Sequence, residues 1–155
     1  MNLDNTVDLL WILICAILVF LMQAGFMCLE AGCTRNKNNI NTALKNICDF
    51  GICMLAFWAC GYGLMFGNSL SGFVGTSDFL FLSKSPQAGA WFIFQAGFCG
   101  AALTIVSGAV AERLKFSMYL VISTVGAIFL YPLVGHWIWN DSGWLSQLGF
   151  IDFAG

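Results

Sequence analysis

Phe94 and Phe98 stand four residues apart, so a helix running through them carries both rings on one face. The negative face of an aromatic ring attracts a cation, by roughly 0.5–2 kcal/mol depending on how far the site is desolvated. With an indole such as Trp139 and one hydrogen-bond acceptor, such rings could form a weak, selective cage for a small cation that donates hydrogen bonds. Weak binding suits conduction, which needs entry without trapping. On spacing alone, however, packing in a bundle or against lipid accounts better for the two rings.

Other residues with chemical potential have quieter readings. Lys45 and Asp49 are also i, i+4. A lone charge at bilayer depth costs about 2.5–3.5 kcal/mol by insertion scales, which favours a structural ion pair over an ion relay. Glu30, close to Arg35 and Lys37, reads as an interfacial charge, and Gln23 and Gln95 as interhelical hydrogen-bonding groups. His136 is the single histidine, flanked by Gly135 and Trp137. It reads as a hydrogen-bonded residue near the outer surface rather than a proton carrier, although histidine titrates near neutrality. One histidine excludes a multi-histidine metal centre within one subunit. The seven cysteines form no Cys-x-x-Cys pair and read as small apolar packing residues, with no metal role. Asp152 is placed to N-cap a helix starting near Phe153, so the sequence looks cut at a helix entrance. No nucleophile triad, phosphate loop or nucleic-acid surface is visible, and nothing suggests an enzyme or a cofactor.

The elements that must position these residues follow from composition. Hydrophobic residues make up 59% of the 155-residue chain and charged residues 9%, against about 45–50% and about 25% in soluble domains. A soluble fold of this size cannot hide so much apolar side chain. Residues 9–29, 50–77, 85–111 and 116–140 carry no charge, and each run exceeds the ~20 residues a helix needs to span the hydrocarbon. The fold class is therefore all-α integral membrane, with four transmembrane helices over approximately 7–31, 41–67, 88–110 and 117–139. The first is too long for a signal peptide and has no basic flank.

Charge placement sets an expected orientation. Arg35, Lys37 and Lys45 fall at the first turn and Arg113 and Lys115 at the third, with Lys84 alone on the opposite side. The positive-inside rule then puts those turns in the cytoplasm and the N-terminus outside, and Trp137, Trp139 and Trp144 suit an outer aromatic belt. Ala59, Gly63 and Gly67, and again Gly100, Thr104 and Gly108, repeat every four residues, as close helix packing requires. Pro132 removes a backbone donor and predicts a kink in the fourth span.

Four segments together resemble the ammonium transporter family of Amt, Mep and Rh proteins. They are Leu21-Met22-Gln23-Ala24-Gly25-Phe26 with Leu29-Glu30-Ala31-Gly32 and Arg35-Asn36-Lys37-Asn38; Phe94-Gln95-Ala96-Gly97-Phe98; Ser107-Gly108-Ala109-Val110-Ala111-Glu112-Arg113-Leu114-Lys115-Phe116-Ser117; and Tyr131-Pro132-Leu133-Val134-Gly135-His136-Trp137-Ile138-Trp139 followed by Asp152-Phe153-Ala154-Gly155. The resemblance implies the first part of an eleven-helix, inverted-repeat fold. It further implies a homotrimer in the plasma (cytoplasmic, or cell inner) membrane, each subunit holding its own narrow pore for nitrogen uptake.

By the same resemblance Phe98 matches an outer-gate phenylalanine, Phe94 the other mouth phenylalanine, and Trp139 the ammonium-recruiting tryptophan. Asp152 matches an acid that supports the site without touching substrate. The recruiting serine, the second gate ring and both pore histidines belong to later helices of the family, and His136 is not one of the latter. With that pattern around them, the cation-binding reading of Phe94 and Phe98 overtakes the packing one. The expected function is ammonium or ammonia permeation by a chain that looks like an N-terminal portion, which alone is expected not to transport. Two alternatives stay open: an ammonium sensor with a signalling domain downstream, and a non-conducting fragment. Docking of a PII-type regulator would need cytoplasmic loops beyond this stretch.

Overall fold

Lipid offers peptide groups no hydrogen-bond partner, so apolar runs of this length close their bonds within helices. In the computed structural model, which describes residues 3–83 and 85–154, four helical stretches are long and apolar enough to cross a membrane. The first is α1 (Leu3–Cys33). After a 3-10 turn (Asn36–Asn38), the second runs through α2 (Asn39–Ala56), a π turn (Phe57–Gly61) and α3 (Tyr62–Phe66). The third is α4 (Pro86–Ala109), and the fourth joins α5 (Phe116–Val125), a π turn (Gly126–Leu130) and α6 (Tyr131–Trp139). A short α7 (Trp144–Gln147) follows. Lys84, the one basic residue expected on the far side, lies outside the described residues.

Helix α4 begins earlier than its hydropathy suggests because Ser85 caps it. The Ser85 hydroxyl accepts the Ala88 amide at 3.1 Å, and Pro86 fills the first turn, where a missing N–H costs nothing. The connection before it contains a minimal hairpin, β1 (Ser69–Leu70) antiparallel to β2 (Val74–Gly75). Ser71 and Gly72 turn it with positive φ at both central positions, as a tight primed hairpin turn demands.

The core lies between the second, third and fourth spans, where Cys53, Phe57, Met65, Ala96, Cys99, Leu103 and Ala127 are buried together. Helix α1 packs along α4 and leaves Leu10, Trp11, Leu18 and Leu21 exposed on its other side. The stripe Gly100, Thr104, Gly108 meets its neighbours as expected: a methyl at Gly100 would collide with the Phe50 ring. The stripe on the second span does something else. Gly63 and Gly67 face the loop backbone at Ser77, so that stripe seats the connection and not another helix.

The expected kink at Pro132 takes the form of the π turn just before it. Tyr131 N–H reaches the Gly126 carbonyl, five residues back, and Tyr62 N–H does the same to Phe57 in the second span. The two widened turns pack against each other, and Gly61 permits it: a Cβ there would lie 2.8 Å from the Ala127 carbonyl oxygen.

Three charged residues sit differently from their sequence readings. Lys45 and Asp49 form no ion pair. The Lys45 ammonium donates to the Ser107 carbonyl (3.4 Å) and lies 4.7 Å over the Tyr119 ring. Asp49 accepts instead from the Thr104 hydroxyl (3.4 Å) and the Cys53 thiol (3.5 Å). Lys45 is buried, so the exposed cations at that end are Arg35, Lys37, Arg113 and Lys115. Glu30 is no interfacial charge: it is buried, accepting Asn46 Nδ2 and Ser107 Oγ, each at 2.9 Å. All three lie where α4 and α5 pack on α1 and α2, which brings Ser107, Thr104 and Tyr119 against them.

Candidate functional site

The α4 face carrying Phe94 and Phe98 opens on a cavity of about 760 Å³ between α4, α6, the inner face of α1 and the 150–152 segment. The two rings meet edge to face at 4.9 Å, with Trp91 tilted on Phe94 at 5.7 Å. Trp139, at the last turn of α6, closes the opposite wall, its ring 6.2 Å from Tyr131. The Tyr131 hydroxyl points to Gln95 Oε1 (3.5 Å), tying α6 to α4 beneath the rings.

Asp152 stands at the rim. The Trp139 indole N–H donates to Asp152 Oδ2 at 2.9 Å, and the Ala154 amide donates to Asp152 Oδ1 at 3.2 Å. This last bond is the kind an N-cap makes; Phe153 and Ala154 themselves are not helical. Asp152 is the one charged side chain on the cavity wall among the described residues. An aromatic surround with a single carboxylate at its edge favours a small cation over an anion or a neutral apolar ligand. Among the described residues no imidazole, thiol or second carboxylate lines the cavity, and no three His, Cys, Asp or Glu side chains gather where they could hold a metal ion.

All four residues singled out from the sequence thus border one cavity. Sequence reasoning missed Met22 and Phe26, which supply the α1 wall, and Trp91 and Tyr131. A signal existed for the first two, which share a helix face at i, i+4 beside Gln23. His136 is not part of it. It is fully buried and hydrogen-bonded through both ring nitrogens, with Nδ1 donating to the Met65 carbonyl (2.8 Å) and Nε2 facing Ser69 Oγ (2.9 Å). It locks α6 to α3 and the hairpin.

The sequence pattern of the Ammonium Transporter Family matches residues 10–155. The chain belongs to that family. A relative from Synechocystis sp. is 52% identical over 97% of this chain, which spans 30% of the relative. Ammonium transporter Amt2 of Archaeoglobus fulgidus is 44% identical over 99% of this chain, which spans 35% of it. Among solved structures, one titled "Sensor Amt Protein" superimposes with a TM-score of 0.91 at 39% identity, covering 97% of this chain and 40% of that one. The chain therefore spans about a third of the length of the curated relatives it matches, and shares their multi-pass membrane fold. Within the family fold its four spans form a contiguous unit, with the aromatic cavity at one end and the Glu112 turn at the other. There Glu112 holds Arg35 Nε at 3.1 Å and Asn38 Nδ2 at 2.6 Å, joining the two basic turns. The Asn38 amide, and then the Arg35 amide and guanidinium, keep the Glu112 carboxyl below its ordinary pKa.

Proposed function

We propose that the protein conducts ammonium or ammonia across a membrane, and that the cavity lined by Phe94, Phe98 and Trp139 is its outer binding site. The observation supporting this most strongly is the Trp139–Asp152 hydrogen bond, which fixes an indole face over an aromatic, otherwise uncharged cavity. Asp152 spends one carboxylate oxygen on the indole and the other on a backbone amide, so it orients Trp139 and adds a field without needing to touch the cation. Phe94 and Phe98 supply ring surface for a desolvated cation and form the gate below it. The complete protein works as a homotrimer in the plasma membrane with its N-terminus outside, and docking of a PII-type regulator requires cytoplasmic loops beyond this stretch.

Uptake of radiolabelled methylammonium by cells expressing the complete protein tests the assignment. Trp139→Leu should change the apparent affinity or the preference among ammonium analogues. Unchanged kinetics would remove Trp139 from the site.

The likeness to the structure titled "Sensor Amt Protein" supports a second reading, in which the same fold binds ammonium and reports it to a signalling domain. Ammonium-evoked current in proteoliposomes holding the complete protein favours transport. Ligand-dependent signalling output without current favours sensing.

A further inference from the structure

The face that α4 turns to the aromatic cavity carries Trp91, Phe94, Gln95, Phe98, Ala102 and Ile105, a single stripe at i, i+3, i+4, i+7, i+11 and i+14. Gln95 is the one side chain of that stripe that can accept a hydrogen bond, and it is only 7% exposed. A primary amide carries two N–H groups and an oxygen with two lone pairs. Gln95 has one long bond for all of these, from the Tyr131 hydroxyl to Oε1 at 3.5 Å. Its nitrogen meets no acceptor among the described residues, yet it is not among their sealed, unpartnered side-chain atoms. The open space beside it is the cavity that Gln95 lines.

Tyr131 gives the amide a fixed neighbour. Its ring lies 6.1 Å from Phe57, in the core, and 6.2 Å from Trp139. A phenol both donates and accepts, so the link to Gln95 survives either orientation of the amide. Tyr131 O–H can bond Oε1, or Gln95 Nε2–H can bond the phenol oxygen, and the second arrangement turns Oε1 toward the cavity. The carboxylate of Asp152 stands at the rim with each oxygen already bonded. A cation that has shed its water between the rings therefore meets the Gln95 oxygen as the acceptor inside the cavity. Ring faces attract a cation without choosing a direction; a charge-assisted hydrogen bond has a direction and about twice the strength of a neutral one.

We propose that Gln95 is a further ammonium-binding residue, its Oε1 accepting a hydrogen bond from ammonium held between the rings while Tyr131 steadies the amide. This rests on the reading of the cavity as an ammonium site. Gln95 then has two tasks, joining α4 to α6 and completing the aromatic cage with an oxygen.

The test is the half-saturating concentration of ammonium chloride for current in proteoliposomes of the complete protein. Gln95→Met keeps the side-chain length and removes both polar atoms; the concentration should rise roughly 10-fold. Gln95→Glu keeps an oxygen acceptor and should stay at or below the wild-type value. Tyr131→Phe removes the hydroxyl but leaves the amide, and should shift the value less than Gln95→Met does. A Gln95→Met curve that superimposes on wild type would overturn the proposal. So would a Tyr131→Phe shift equal to that of Gln95→Met, which would assign the effect to the bond between helices. If Gln95→Met does not fold, Gln95→Glu decides, and a value above wild type would overturn the proposal. A shift in Trp139→Leu without one in Gln95→Met removes Gln95 alone; no shift in either removes the cavity as an ammonium site as well.

Discussion

The Trp139 indole nitrogen lies 2.9 Å from Asp152 Oδ2, so the last turn of α6 is bonded to a segment thirteen residues further along the chain. A ring on a helix end would otherwise swing between rotamers; here its N–H has one charged acceptor. A hydrogen bond to a charged group contributes roughly 1.5–3 kcal/mol when sheltered, and less at this half-open rim. Asp152→Ala in the complete protein should therefore weaken methylammonium uptake by ~3–10-fold in apparent affinity, with Asp152→Asn milder because it keeps an acceptor. Equal kinetics for wild type and Asp152→Ala would show that the bond orients nothing of consequence.

Phe94 and Phe98 touch at 4.9 Å, so either ring alone leaves part of the aromatic surface intact. Losing a cation–π contact of roughly 0.5–2 kcal/mol corresponds to a rise in half-saturating concentration of roughly 2–30-fold. Phe98→Leu should fall in that range, and the double change Phe94→Leu with Phe98→Leu above either single one. Concentration curves of ammonium-evoked current provide the measurement. No change in the double variant would mean the rings only pack.

Gly61 and Gly25 make a paired control for the π turns. A Cβ on Gly61 would approach the Phe57 ring and the Ala127 carbonyl, whereas one on Gly25 meets nothing within 4 Å. Gly61→Ala should destabilise the bundle by roughly 1–3 kcal/mol, the range for overpacking a filled site. Gly25→Ala should be neutral or stabilising by about 0.5–1 kcal/mol, because alanine is the better helix former. Thermal unfolding in detergent separates them; equal Tm values would deny that the two widened turns are in contact.

Thr104 joins three spans through one hydroxyl, bonded to Gln23, Asp49 and the Gly100 carbonyl. Thr104→Val preserves shape and leaves the Gln23 amide donors buried without an acceptor, at about 1–3 kcal/mol. A lower Tm with unchanged secondary structure by circular dichroism is the expected result. A variant as stable as wild type would show that water fills the gap.

The Glu112 carboxyl, held below its ordinary pKa by Asn38 and Arg35, gives a pH signature. A depressed folded-state pKa means the contact contributes stability above the unfolded glutamate value, near 4.3, and loses it as pH falls through the lower folded value. The group is exposed, so the effect on overall stability is small. Spin labels on the first and third turns should therefore stay at a fixed separation from neutral pH down to the ordinary glutamate range, and separate only in more acid solution. Separation well above that range would contradict the assignment.

The four spans were legible because long runs without charge leave the chain no soluble option, and Phe94 with Phe98 because a helix turns every 3.6 residues. The partners of Glu30 were not. Ser107 is 77 residues away, and only packing of α1 on α4 brings it within 2.9 Å. Spacing likewise set Lys45 near Asp49 but could not weigh that pairing against Ser107, Tyr119 and Thr104 from other helices. The π turns add one residue to a helical turn without changing hydropathy, so no pattern of apolar residues reveals them. Of the cavity, the aromatic wall on α4 was readable from i, i+4 spacing; the Trp139–Asp152 bond needed a resemblance to be expected and coordinates to be seen.

In the proposed function, the aromatic cavity lies on the outer side and admits ammonium to a transport path. Currents recorded on proteoliposomes of the complete protein after an ammonium step test it most directly. The prediction is a saturable signal whose concentration dependence shifts when Trp139 becomes leucine. A signal no larger than that of protein-free liposomes, or one that Trp139→Leu leaves untouched, would contradict it.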